Sequence, residues 1–128
     1  MAGYLTNIEK KTLENTCFRE VLFTGPHAQL VVMALRPGED IGLEVHADVD
    51  QFIRVEAGHG TAVLDGKELA LEDGSAVVIP AGTKHNVINT SANETLKLYT
   101  IYSPPEHPDG TVHRTRAEAQ AYEREHHH

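Results

Sequence analysis

The sequence predicts an all-β fold, on three observations. Between His27 and Tyr102, short strand-like runs alternate with turn signals at intervals too small for helices. The pair Asp65-Gly66 separates TAVL from KELALE, a strong hairpin signal because a type I′ turn needs positive φ at both central residues. Arg36-Pro37-Gly38, Asp73-Gly74 and Pro80-Ala81-Gly82 break the remaining runs. Regular short strands in a small domain imply a β-sandwich or small barrel, since closure is how antiparallel sheets avoid exposed edges.

Taken in order, residues 1–17 carry no decisive pattern, and FREVLF at 18–23 is strand-like. In VVMAL, Val31, Met33 and Leu35 share one face and form core. IGLEVH reads as a strand with Glu44 and His46 on one face and Leu43 and Val45 on the other. In QFIRVEAG, Arg54 and Glu56 belong outside with Phe52, so Gln51, Ile53 and Val55 point inward. His85 opens HNVINT directly after a Pro-Ala-Gly turn, with Val87 and Asn89 on its face; Asn89 is expected to make an ordinary hydrogen bond beside a turn. In KLYTIY, Lys97 is easier to solvate outside, which turns Leu98, Thr100 and Tyr102 inward. The segment Pro104 to His113 either folds over a barrel mouth or simply leads on to a C-terminal helix. That helix is predicted over Arg116 to Arg124, behind a capping box of Thr115 and Glu118. The reading is one domain over 1–128, with a core at about 27–103, an N-terminal arm at 1–26 and a C-terminal extension and helix at 104–125.

Composition narrows the function. The chain has 128 residues, and 11 Lys and Arg against 19 Asp and Glu give a net charge of −8, which argues against nucleic acid or an anionic membrane as partner. No apolar run approaches the roughly 18 residues of a membrane span, and MAGYLTNIEKK lacks the apolar stretch of a signal peptide, so a cytoplasmic location is expected. Cys17 is the only cysteine, which excludes an intrachain disulfide and a thiolate-rich zinc cluster. Any metal must be held by His, carboxylate or amide. His126, His127 and His128 read as the remnant of a purification tag. Of the other histidines, His27, His59, His107 and His113 stand at loops or strand ends, where solvated surface is the expected role.

Periodicity alone does not say that the runs bearing Glu44, His46, Gln51 and His85 converge. The spacing of Gly38, Glu44, His46, Gln51 and Gly58 resembles the first cupin motif, with Glu44 where the usual first His stands and Gln51 where the usual Glu stands. Gly74, Pro80, Gly82, His85 and Asn89 fit the second cupin motif at every fixed position, and the likeness extends from about Val31 to Tyr102. Resemblance to small single-domain cupins implies a double-sheet jelly-roll barrel whose four motif positions, Glu44, His46, Gln51 and His85, surround one divalent metal (zinc, manganese, iron or nickel). Gln51 is then a weaker fourth ligand or a partner of a bound water. Gln in place of Glu removes an anion from such a site, and Glu44 restores it from the neighbouring strand.

The ligand inventory looks like that of cupin-type, zinc-dependent phosphomannose isomerases with Gln and Glu exchanged. Gln51 and the YSPP ending at Tyr102 are also similar to small cupins that linearise unsaturated uronates. The resemblance implies Lewis-acid isomerase or lyase chemistry on a small-molecule substrate, a sugar or hydroxy-carbonyl compound. Glu44 or a bound water would move the proton. Tyr102 would donate to an oxygen, unless it is core with its hydroxyl at the rim. Glu44, His46 and His85 also satisfy the 2-His-1-carboxylate set of non-haem iron dioxygenases, and a non-catalytic metal- or ligand-binding module is a third reading. Alternation places no Lys or Arg facing the pocket, which counts against a phosphorylated substrate. Outward Leu43, Val45, Phe52 and Ile88, together with FREVLF, predict a homodimer.

Overall fold

Alternating apolar residues settle into two antiparallel sheets with the core between them, in a computed structural model that describes residues 2–126. The strands are β1 (Arg19–Thr24), β2 (Gln29–Leu35), β3 (Asp50–Ala57), β4 (Gly60–Leu64), β5 (Lys67–Leu71), β6 (Ala76–Ile79), β7 (His85–Ile88), β8 (Leu96–Ser103) and β9 (Val112–His113). Helices α1 (Ile8–Glu14) and α2 (Arg116–His126) flank them. The larger sheet runs β6-β3-β8-β2-β1-β9 and the smaller β5-β4-β7. Of the proposed tag remnant, His126 ends α2, while His127 and His128 lie outside the described residues.

Period-two burial holds where the sequence showed it. On β3 the buried positions are Gln51, Ile53 and Val55, and on β8 they are Leu96, Leu98, Thr100 and Tyr102. Strand β2 is buried on both faces: Val31, Met33 and Leu35 enter the core, while Val32 and Ala34 face the side on which α1 packs. The hairpin between β4 and β5 has Asp65 at φ +50° and Gly66 at φ +83°, as its type I′ turn requires.

Three expectations change. Residues 8–14 are helical, with Asn7 Oδ1 accepting from Lys10 N at 3.0 Å; seven residues are too few to display an apolar period, and the one side chain they bury is Thr12. FREVLF is part of the larger sheet, because β1 pairs with β2 on one side and β9 on the other. The sheet therefore extends beyond the 27–103 span at both ends. IGLEVH is not a continuous strand: Gly42 sits at φ +110° and Asn86 Oδ1 takes its N–H at 2.9 Å, so pairing with β7 is broken into bridges at Asp40 and Glu44. Leu43 and Val45 still point outward, at 60% and 55% exposure, but onto the cleft rim and not onto one face with Phe52, which packs against Tyr99 in the larger sheet. Helix α2 starts as expected, with Thr115 Oγ1 accepting from Glu118 N at 3.1 Å and Glu118 Oε1 from Arg114 N at 3.0 Å, and it runs two residues past Arg124.

Gly60 opens β4 against the end of β7 in its own sheet and beside Leu96 of the other. A Cβ there would collide with the Ile88 carbonyl oxygen and press on Leu96 Cδ2 at 3.2 Å. Gly60→Ala is expected to destabilise by about 1–3 kcal/mol in urea titration, against near-neutrality if the sheets simply spread.

Candidate metal centre

The backbone pair between Glu44 and His85 assembles the site. Glu44 N donates to His85 O and His85 N to Glu44 O, both at 2.8 Å, and Gly82 N donates to His46 O at the same distance. The Pro-Ala-Gly turn thus hands His85 to the segment carrying Glu44 and His46. One donor atom from each of Glu44, His46 and His85 falls within 4.8 Å of the others. Glu44 Oε2 lies 3.8 Å from His46 Nε2, and the two imidazole centroids are 5.2 Å apart.

Each imidazole is oriented through its other nitrogen. His85 Nδ1 lies 2.9 Å from the Thr83 carbonyl, which only accepts, so the proton sits on Nδ1 and the Nε2 lone pair is free. Glu106 Oε1 lies 3.3 Å from His46 Nδ1 and fixes the same tautomer there. Gln51, 3% exposed, donates from Nε2 to Thr100 Oγ1 at 3.1 Å, which leaves its Oε1 buried and without a hydrogen-bond partner. A buried carbonyl oxygen with no donor is suited to a cation. Two free imidazole nitrogens, a carboxylate and an unpartnered amide oxygen therefore fit a divalent metal of the zinc, manganese or iron kind.

Charge states follow burial and neighbours. Desolvation raises the Glu44 pKa, against the opposing pull of His46 and Arg19. The bond to Glu106 raises that of His46 in spite of burial, and burial lowers that of His85. Tyr102 is 2% exposed, edge-on to His46 at 6.2 Å, and burial pushes its hydroxyl above the ordinary phenol range. Asn89 serves a turn, as expected: it bonds Leu35 O, Glu94 O and Ser91 N and takes no part in the cluster.

A cleft of about 620 Å³, lined by Glu44 and His46 from this cluster, shows what the sequence concealed. The segment Pro104 to His113 does fold over the barrel mouth. Gln29, buried, holds it with both ends of its amide: Nε2 donates to His107 O at 2.7 Å and to Thr24 Oγ1 at 2.9 Å, while Oε1 accepts from Glu106 N at 3.2 Å and His107 N at 3.0 Å. His107 and His113 are therefore not solvated surface. His107 packs edge-on to Tyr102 at 5.1 Å and desolvation lowers its pKa to about 3, while His113 is 8% exposed. His27 and His59 are exposed, as expected. The absence of a pocket-facing cation is also corrected: Arg19, 2% exposed, lines the cleft. Alternation in FREVLF sets Arg19 on the face of Val21, opposite Glu20, a signal outweighed by the habit of placing arginine outside.

Comparison with known proteins agrees with this geometry. The cupin domain family matches residues 31–102. Protein YrkC of Bacillus subtilis strain 168 is 51% identical over 94% of this chain and 67% of its own length. Protein L612 of Acanthamoeba polyphaga mimivirus is 50% identical over 85% of this chain and 70% of its own. The crystal structure of BH2720 from Bacillus halodurans superposes with TM-score 0.90 at 48% identity, covering 94% of this chain and 95% of that one. KdgF from Halomonas sp., at 23% identity and TM-score 0.63 over 69% of this chain and 78% of that one, shares the fold.

His107 supplies a pH test. Its folded pKa of about 3 lies below the ordinary 6.5, so between those values the unfolded chain binds a proton that the native state refuses. Stability from this group is complete above pH 6.5 and falls as pH drops toward 3, at a slope approaching about 1.4 kcal/mol per unit. Urea titrations at a series of pH values are expected to give a shallower acid loss for His107→Gln than for the parent; parallel curves would place His107 in solvent.

Proposed function

Because the chain belongs to the cupin domain family, we propose that it is a metal-dependent small-molecule enzyme of isomerase or lyase type, acting on a sugar or hydroxy-carbonyl compound in the cleft above Glu44, His46 and His85. One observation carries this reading: each imidazole has its Nδ1 engaged, by Thr83 O and by Glu106, so that both Nε2 lone pairs are free beside a carboxylate. A divalent ion held by these residues, with Gln51 Oε1 as fourth donor, would supply Lewis-acid stabilisation of negative charge developing on a substrate oxygen. The protein's own groups do the rest. Glu44 would help hold the ion, and its carboxylate is the group placed to take and return a proton. Tyr102 stays protonated because burial disfavours its phenolate, and so it donates a hydrogen bond and does not act as base. The segment clamped by Gln29 walls the cleft and limits water.

Metal titration with residues 126–128 removed tests the ligands, since terminal histidines bind metal themselves. His46→Ala with His85→Ala is expected to abolish stoichiometric binding of zinc, manganese and ferrous iron. Glu44→Gln is expected to weaken it at least tenfold, about 1.4 kcal/mol, and Gln51→Ala by less. Full occupancy in the double variant contradicts the site. For the reaction, the metal-loaded protein is expected to exchange solvent deuterium into the carbon beside the carbonyl of a hydroxy-carbonyl substrate. Turnover that consumes oxygen with ferrous iron, without such exchange, contradicts the isomerase reading in favour of a dioxygenase.

A further inference from the structure

Three residues that line the cleft, Arg19, His107 and His113, each have a buried nitrogen without a hydrogen-bond partner: Arg19 Nε, His107 Nε2 and His113 Nδ1. Arg19 and His113 are directly opposite each other in the pairing of β1 with β9, and His107 lies on the segment clamped by Gln29. Among the described residues no carboxylate comes within 4.0 Å of the Arg19 guanidinium, although its charge acts on Glu44, His46, Tyr102, His107 and His113. Its one close aromatic neighbour is Phe18, whose ring centroid lies 5.4 Å from Cζ. A guanidinium that is 2% exposed and carries five donors is costly to bury unless an anion completes it.

We propose that Arg19, with the imidazole N–H groups of His107 and His113, receives the carboxylate of a small hydroxy- or oxo-acid whose other oxygens lie toward Glu44, His46 and His85. The inference rests on the reading of the cleft as a small-molecule site and names its substrate class. The donors suit a carboxylate, because the planar guanidinium presents two parallel N–H groups to its two oxygens. Both imidazoles are held neutral by burial and by the nearby Arg19, so each offers one N–H without adding charge. One permanent cation facing the cleft matches one negative charge. A phosphate dianion would meet that single Arg beside the carboxylates of Glu44, Glu106 and Glu123. A cleft of about 620 Å³ has room for a molecule of sugar-acid size.

Calorimetric titration and thermal shift of the chain lacking residues 126–128, metal-free and zinc-loaded, test this with glucuronate, glucuronamide and glucose 6-phosphate as probes. Glucuronate is expected to bind at least tenfold more tightly than glucuronamide and glucose 6-phosphate in both forms, because Arg19 acts without the metal. Arg19→Met is expected to remove that preference while leaving zinc content unchanged and the unliganded protein as stable as the parent or more so, since an unpaired buried charge has gone. Arg19→Lys, which keeps the charge and loses the fork, is expected to lose at least threefold of the preference. Equal binding of glucuronate and glucuronamide by the parent overturns the proposal, as does tighter binding of glucose 6-phosphate, and so does a marked loss of unliganded stability in Arg19→Met, which would make Arg19 structural. Full zinc binding by the variant with His46→Ala and His85→Ala, with the glucuronate preference retained, overturns the metal reading and still supports the proposal.

Discussion

The site depends on the reciprocal backbone pair between Glu44 and His85, two hydrogen bonds of 2.8 Å that join a segment otherwise too irregular to be a strand to the first residue of β7. Gly42, at positive φ with its N–H given to Asn86, breaks the ladder on one side. The turn ending at Gly82 secures the other through its bond to His46 O. Between these points the chain is held at two residues, and those residues carry the carboxylate and one imidazole. A carboxylate in the first motif position is thereby set against an imidazole across a single bridge, and burial of that pair lifts the Glu44 pKa and lowers the His85 pKa together.

A second layer surrounds this pair, built from polar groups that a barrel core ordinarily excludes. Gln29 spends its whole amide on β1 and on the segment over the mouth, which brings Glu106 to His46 and His107 to Tyr102. Helix α2 completes the wall, tied down by the ion pair of Arg116 with Asp40 at 2.6 Å and by contact of Tyr122 with His113. Both groups of that ion pair are about a third exposed, so it orients the helix more than it stabilises the fold. Inside this enclosure the polar atoms without a hydrogen-bond partner include one acceptor, on Gln51, and three nitrogens, on Arg19, His107 and His113.

Much of this was legible in the residues. Alternation turns Gln51, Thr100 and Tyr102 inward, because each lies opposite side chains that belong in solvent, but it only sets Glu44 and His46 on one face; their convergence with His85 is legible through the spacing of the two cupin motifs. The Asp65-Gly66 hairpin and the Thr115 capping box were local, and local rules sufficed. What stayed hidden depended on contacts distant in sequence. Gln29 meets His107 across 78 residues, and nothing near either position announces it. The inward turn of Arg19 is not legible because the cost of burying a guanidinium outweighs a period-two pattern in so short a run. His107 and His113 look like loop histidines until the segment that bears them is closed over the barrel.

The measurement that bears most directly on the central claim is anomalous diffraction from crystals of the zinc-loaded chain lacking residues 126–128. The account predicts one strong peak inside the barrel, about 2.0–2.1 Å from Nε2 of both His46 and His85 and at coordinating distance from a Glu44 oxygen, with Gln51 Oε1 turned toward it. An empty barrel at full zinc loading, or a peak whose shell omits Glu44 or either histidine, would contradict it.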